Sequence, residues 1–162
     1  MNGHTSQLDL NPNGVNGFTS KLAEKVFGAS TTFNGVQFHF HAGSEHTIDG
    51  VRHDLEMHTV HSADSVENEI GFAAVGIMFS VTEYNANLTW AESRIIENFF
   101  DSLKWRETSA QGNIVEVDMV TYGDLMELVD NENRWIYKGS VTTPPCGRFV
   151  YWNVLSTIYP IS

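Results

Sequence analysis

His39, His41 and His58 are the residues of this chain whose type and spacing most directly imply chemistry. His39 and His41 alternate within Gln37-Phe38-His39-Phe40-His41. Side chains in a strand repeat every two residues, so both imidazoles share one face. His58 follows after sixteen intervening residues, inside the strand-like run Leu55-Glu56-Met57-His58-Thr59-Val60-His61. Between the runs lies Asp49-Gly50, the strongest short signal for a two-residue hairpin turn. A turn there places Ile48 opposite Val51 and predicts His41 directly opposite His58. Cross-strand neighbours have Cβ atoms about 4.5–5.5 Å apart, within reach of a single ion. Three neutral imidazoles with one open position is the donor set of a catalytic zinc.

Strand parity extends the constellation. Gln37 shares the face of His39 and His41, and Glu56 shares the face of His58 and Val60. A metal-bound histidine passes its second N–H to an acceptor, and Gln37 and Glu56 are placed to serve His39 and His58. Glu45 falls on the same face. Regular pairing would set it against Asp54, an unfavourable like-charge pair, so an offset in the hairpin is expected. A single strand histidine is more often a surface or hydrogen-bonded residue. Three that converge, with acceptors at the right parity, read differently.

The elements that must hold this site are mainly strands. Candidates are 36–41, 44–48, 51–61, 70–82, 114–120 and 148–158, several of them rich in Val, Ile, Phe and Tyr. Residues 1–35 are mostly turn-forming, broken at Asn11-Pro12-Asn13-Gly14, Asn16-Gly17 and Asn34-Gly35. One helix is well signalled. Thr89-Trp90-Ala91-Glu92 is a capping box, and Ile95, Ile96, Phe99, Phe100 and Leu103 follow at helical spacing. A shorter helix is expected from about Gly123 to Val129. The fold class is mainly β: one central, mostly antiparallel twisted sheet with a few surface helices.

Composition bounds the partners. The 162 residues, 41% hydrophobic, suit one domain over 1–162 with a substantial core. A net charge of −11 argues against nucleic acid and anionic membrane surfaces. No apolar stretch approaches the roughly 18–20 residues of a membrane span. Met1–Ser20 has no apolar signal core. Cys146 is the single cysteine, so no disulfide forms within the chain.

The motifs Gln37-Phe38-His39-Phe40-His41, Ser44-Glu45-His46-Thr47 and Glu56-Met57-His58-Thr59-Val60-His61 resemble the α-class carbonic anhydrases closely. Tyr137-Lys138-Gly139-Ser140-Val141-Thr142-Thr143-Pro144-Pro145-Cys146 resembles that family's second signature. The resemblance implies zinc-dependent, reversible hydration of carbon dioxide to bicarbonate and a proton. It implies Zn2+ on His39, His41 and His58. Thr142 would orient the attacking hydroxide, Glu45 would accept the threonine's proton, and Thr143 would lie beside the substrate. Gln37 and Glu56 match the outer hydrogen-bond acceptors. His4 matches the histidine that shuttles protons to solvent, a task suited to a group titrating near neutrality. Val60, Ala74, Val141 and Trp152 match the apolar wall where carbon dioxide sits; by composition alone they would be ordinary core. His46 and Tyr137 match a structural hydrogen-bonded pair, and Pro144-Pro145 a cis-proline turn. His53 and His61 have no assigned role.

The match is incomplete. Ala42 replaces a tryptophan usual after the second ligand, and the loop between His61 and Gly71 is short. Family domains begin well before the position matched by Asn2 and continue well past Ser162, so N- and C-terminal elements of the domain are expected to be lacking. A fragment, a truncated gene product and a shortened domain that compensates as a homo-oligomer all stay open. Cys146 and the resemblance lean towards a secreted origin, while the chain itself carries no export signal. A non-catalytic binding or scaffold protein of the same fold is the alternative to an enzyme. Such proteins typically lose a zinc histidine, and none is lost here.

Overall fold

The computed structural model describes residues 6–9, 33–63, 71–104, 117, 120–148 and 150–162. Among them are six strands and two helices: β1 (Ser6–Asp9), β2 (Phe33–Ala42), β3 (Leu55–Ala63), β4 (Phe72–Ser80), α1 (Trp90–Ser102), α2 (Tyr122–Leu128), β5 (Arg134–Gly139) and β6 (Val150–Pro160). The strands form one sheet in the order β1-β2-β3-β4-β6-β5. All neighbours are antiparallel except β4 and β6, which run parallel. A parallel pair needs a long crossover, and α1 and α2 lie in it. No helix of the described residues is long and apolar enough to cross a membrane.

Alternation divides the sheet into two faces. Phe38 and Phe40 of β2, Met57 of β3, and Val75, Ile77 and Phe79 of β4 join Leu155 and Tyr159 of β6 on one face. Helix α1 covers that face with Ile96 and Phe99, and α2 covers it with Tyr122, Leu125 and Met126. Phe38 stacks on Tyr122 with ring centroids 5.1 Å apart. The alternate residues, among them His39, His41, Glu56, His58, Ala74, Gly76 and Trp152, point to the other face. Helix α1 begins with the expected capping box: Glu92 N–H donates to Thr89 Oγ1 (3.3 Å), and Thr89 N–H donates to Glu92 Oε2 (2.7 Å).

The hairpin turn forms as expected, but the ladder below it is offset. Ile48 and Val51 exchange backbone bonds of 3.1 and 2.9 Å across Asp49 and Gly50, both at positive φ, as a type I′ turn requires. Further down, Ser44 N–H donates to His53 O at 2.9 Å. Three residues separate Ser44 from Ile48 and only one separates Val51 from His53, so the register shifts by two. His39, not His41, is therefore opposite His58, and His41 is opposite Glu56. A two-residue shift keeps every side chain on its face, so the histidines still converge.

The candidate strand 44–48 does not form beyond the Ile48–Val51 bridge. The N–H groups of Glu45 and His46 instead donate to Glu56 Oε2, at 2.8 and 2.9 Å, which removes the donors a ladder would use. Asp54 is not paired with Glu45; its Oδ2 accepts from Ser80 Oγ and Val81 N–H. The candidate 114–120 lies largely outside the described residues, and Val117 and Val120 are in no strand. Strands β1 and β5 were not expected. Arg134-Trp135-Ile136-Tyr137 carried the strand signal, obscured by its position just before a loop motif.

His61 is fully buried on β3, and burial pushes its imidazole down to about 4. A histidine near 6.5 when unfolded and near 4 when folded binds protons preferentially in the unfolded chain. Its stabilising effect is complete above pH 6.5 and is lost as pH falls towards 4. Urea midpoints of the metal-free chain should therefore fall over this window. The slope should be shallower in His61→Gln, by roughly 3 kcal/mol accumulated across the window. Parallel slopes for the two chains would contradict this.

Candidate metal centre

Three imidazoles converge on the face of the sheet opposite α1 and α2. Ring centroids are 4.9 Å apart for His39–His41, 5.1 Å for His39–His58 and 4.7 Å for His41–His58. One nitrogen of each lies within 4.8 Å of one nitrogen of the others. Hydrogen bonds decide which nitrogens remain. His39 Nδ1 is 2.9 Å from Gln37 Oε1, so Nδ1–H donates and Nε2 keeps its lone pair. His58 Nε2–H likewise donates to Glu56 Oε1 at 2.9 Å, leaving Nδ1. His41 Nε2 is buried and has no hydrogen-bond partner among the described residues. Burial of a polar nitrogen without a partner is costly, and a cation among three such lone pairs removes that cost. The donor set fits zinc: three imidazole nitrogens on two neighbouring strands, with the other sides of His39 and His58 held by Gln37 and Glu56.

Charge follows the same logic. Burial, then the neighbouring His58 and His41, pushes His39 down to about 3. Burial and His58 lower His41 as well. Both rings are thus neutral near pH 7, the form that binds a metal. Glu45 places Oε2 3.6 Å from His41 Nε2 and 3.9 Å from His58 Nδ1, adding negative charge beside the cluster.

Glu56 is the centre of the supporting network. Its side chain has 0% exposure. Oε1 accepts from His58 and from His46 Nδ1–H (2.6 Å), and Oε2 accepts from the two backbone N–H groups already described. Burial alone would raise this carboxyl, but the bonds from His46 and His58 outweigh it and hold it well below the usual carboxylate range. With Nδ1–H committed to Glu56, His46 Nε2 accepts from Tyr137 O–H at 2.6 Å. Burial and the charges of Glu56 and Glu45 push Tyr137 up to about 12, so it remains a donor. The tyrosine ring stacks on Trp152, whose centroid is 4.7 Å from His58 and 4.8 Å from His46. The set His46, Glu56 and His58 also has three metal-capable atoms together. Its atoms are joined at 2.6 and 2.9 Å, whereas ligands about 2.0–2.1 Å from a tetrahedral zinc stand roughly 3.3 Å apart. It is a hydrogen-bonded brace.

The remaining site residues are placed unevenly. Ala74, Trp152 and Val141 belong to one apolar cluster on this face, and Val60 pairs with Ala74. Thr142 and Thr143 are exposed in the loop before β6, which contains the cis Pro144–Pro145 bond. Among the described residues, no hydrogen bond joins Thr142 to Glu45. His4 lies outside the described residues. The expected His46–Tyr137 pair forms, 91 positions apart in the chain, but its link to the metal site through the His46–Glu56 bond was not expected, because strand parity assigned Glu56 to His58 alone.

A family model described as eukaryotic-type carbonic anhydrase matches residues 1–162. The chain belongs to that family. Carbonic anhydrase 6 of Mus musculus is 32% identical over 169 residues, covering 95% of this chain and 48% of its own length. This chain therefore spans about half the length of the curated relatives it matches. The α-carbonic anhydrase structure of Photobacterium profundum superposes with a TM-score of 0.66 at 29% identity, covering 99% of this chain and 62% of that one. The Thermovibrio ammonificans α-carbonic anhydrase, in complex with the inhibitor sulfanilamide, gives 0.60 at 29% identity over 82% of this chain and 51% of that one. These carbonic anhydrases share the fold on which the three histidines are arrayed.

Removing Glu56 should uncouple site and scaffold together. In Glu56→Ala, two imidazole N–H groups and two backbone N–H groups lose one acceptor. The expected cost is about 3–5 kcal/mol in urea unfolding, with zinc affinity down roughly 10–100-fold by chelator competition. Unchanged values for both would refute the central role of this carboxylate.

Proposed function

We propose that this chain catalyses the zinc-dependent, reversible hydration of carbon dioxide to bicarbonate and a proton. The observation that carries the reading is the convergence of three buried or half-buried imidazole lone pairs, two of them fixed by Gln37 and Glu56. Zinc bound there would supply Lewis acidity, lowering the pKa of water to about 7. His39, His41 and His58 would hold the ion without neutralising its charge, since imidazole binds a metal as a neutral ring. Gln37 and Glu56 keep those rings in one tautomer and orientation.

The other roles follow from residue chemistry and from the family. Val60, Ala74, Val141 and Trp152 offer an apolar wall without hydrogen-bond partners for a small linear substrate. Charged bicarbonate is held less well against such a wall than carbon dioxide, which favours its release. Thr142 would orient the attacking oxygen by accepting a hydrogen bond at its hydroxyl, while the hydroxyl donates its own hydrogen bond to Glu45. That pairing requires the Ser140–Gly147 loop to bring Thr142 to Glu45. Thr143 contacts the substrate from the same loop. His4 carries the proton to buffer, using an imidazole that exchanges near neutral pH.

Stopped-flow hydration of carbon dioxide by the folded, zinc-loaded chain tests the reading directly. Hydration above buffer, inhibited by sulfanilamide, is expected. His58→Ala should abolish zinc binding and turnover together. Thr142→Ala should retain zinc and lose turnover on the order of 100-fold, the scale of one lost oriented hydrogen bond in a transition state. A folded, zinc-loaded chain with no hydration above buffer would leave a zinc-binding protein without this activity.

A further inference from the structure

Gly76 lies on β4, opposite His58 on β3 and Val154 on β6. It is where the sheet passes directly beneath the Glu56 carboxylate. A Cβ at this position would lie 2.7 Å from Glu56 Oε1, closer than such contacts occur, and 3.8 Å from Val154 Cγ2. Oε1 is the atom that accepts from both His46 and His58. The carboxylate cannot swing away at small cost. Its other oxygen is held by Glu45 N–H and His46 N–H, and its side chain is sealed from solvent.

We propose that Gly76 is a positioning residue for the histidine cluster: the space left by its missing side chain is where Glu56 Oε1 sits to hold His58 and His46. A methyl group there displaces Oε1, loosens both imidazole bonds and releases the tautomer and tilt of His58. The effect reaches the cluster through His58, whereas Gln37 holds His39 independently. The proposal rests on the metal-binding part of the function proposed above. It concerns a different residue and needs no turnover for its test.

Four variants decide it: Gly76→Ala, Glu56→Asp, the two combined, and Gly123→Ala as a control. A Cβ at Gly123 meets nothing within 4 Å. Gly76→Ala should bind zinc 10–100-fold more weakly in chelator competition, the scale for a lost outer acceptor. Gly123→Ala should stay within twofold of the parent. In the double variant, Glu56→Asp shortens the carboxylate side chain and makes room for the methyl. That variant should therefore bind more tightly than the product of the single effects predicts. Imidazole 15N spectra of the zinc-free chain should show the His46 Nδ1–H and His58 Nε2–H bonds lost in Gly76→Ala and kept in Gly123→Ala. Zinc affinity within twofold of the parent, or weakened affinity with both ring N–H signals intact, would overturn the proposal. If Gly76→Ala does not fold, a folded double variant supports it and an unfolded one overturns it. If the parent binds no zinc, the functional reading fails and the ring N–H signals alone decide the role of Gly76.

Discussion

A carboxylate sealed from water is tolerable only when donors replace its hydration. Glu56 meets that demand with four donors: two imidazoles and two backbone amides. Each bond also settles something else. The amides of Glu45 and His46 are drawn out of strand geometry, which shifts the hairpin register by two. The His58 bond leaves Nδ1 as the free nitrogen facing His39 and His41. The His46 bond fixes a tautomer whose other nitrogen can accept from Tyr137. Local chain path, site geometry and the docking of β5, at the far edge of the sheet, thus share one charged group.

This dependence explains which parts of the chain tolerate little change. On the helix-covered face the requirement is volume, met by Phe38, Phe40, Phe99 and their neighbours. On the histidine-bearing face the requirement is clearance. Gly139 illustrates it apart from Gly76: a Cβ there would stand 2.6 Å from the Tyr137 ring and 2.7 Å from Trp152. The stack of Tyr137 on Trp152 passes through that space, and Trp152 Nε1–H is anchored on Ser140 O at 3.0 Å. Glycines in strands usually weaken them. Here they admit a carboxylate and an aromatic stack that larger residues would displace.

Much of the site was legible because strand parity survives errors of register. The expected opposition of His41 and His58 was two residues out, yet the faces were right, and so were the neighbours of Gln37 and Glu56. Asp49-Gly50 reported its turn faithfully because positive φ is a local demand. The offset below it was foreseeable from the Glu45–Asp54 conflict, but its cause was not: a buried side chain eleven residues away competes for the backbone. Non-local demands are what local patterns omit. Strand β1 is four residues, Ser-Gln-Leu-Asp, with almost no intrinsic strand signal, and it exists by pairing with β2 from Gln37 to Phe40.

The pairing of β5 shows how far the site's geometry extends into the scaffold. Tyr137 is opposite Trp152, Trp152 is opposite Ala74, and Ala74 is opposite Val60, which is opposite Gln37. One row across five strands therefore carries the acceptor of His39 at one end and the donor to His46 at the other. A neighbouring row sets His39, His58, Gly76 and Val154 side by side. Adjacent strands lie about 4.8 Å apart, so these rows fix the spacing of the imidazoles to within the play of their side-chain torsions. The backbone ladder sets where the three rings can meet, and the buried carboxylate sets which nitrogen each braced ring presents. Neither alone defines a metal centre: the ladder without Glu56 leaves His58 free to turn, and Glu56 without the ladder has no reason to be buried.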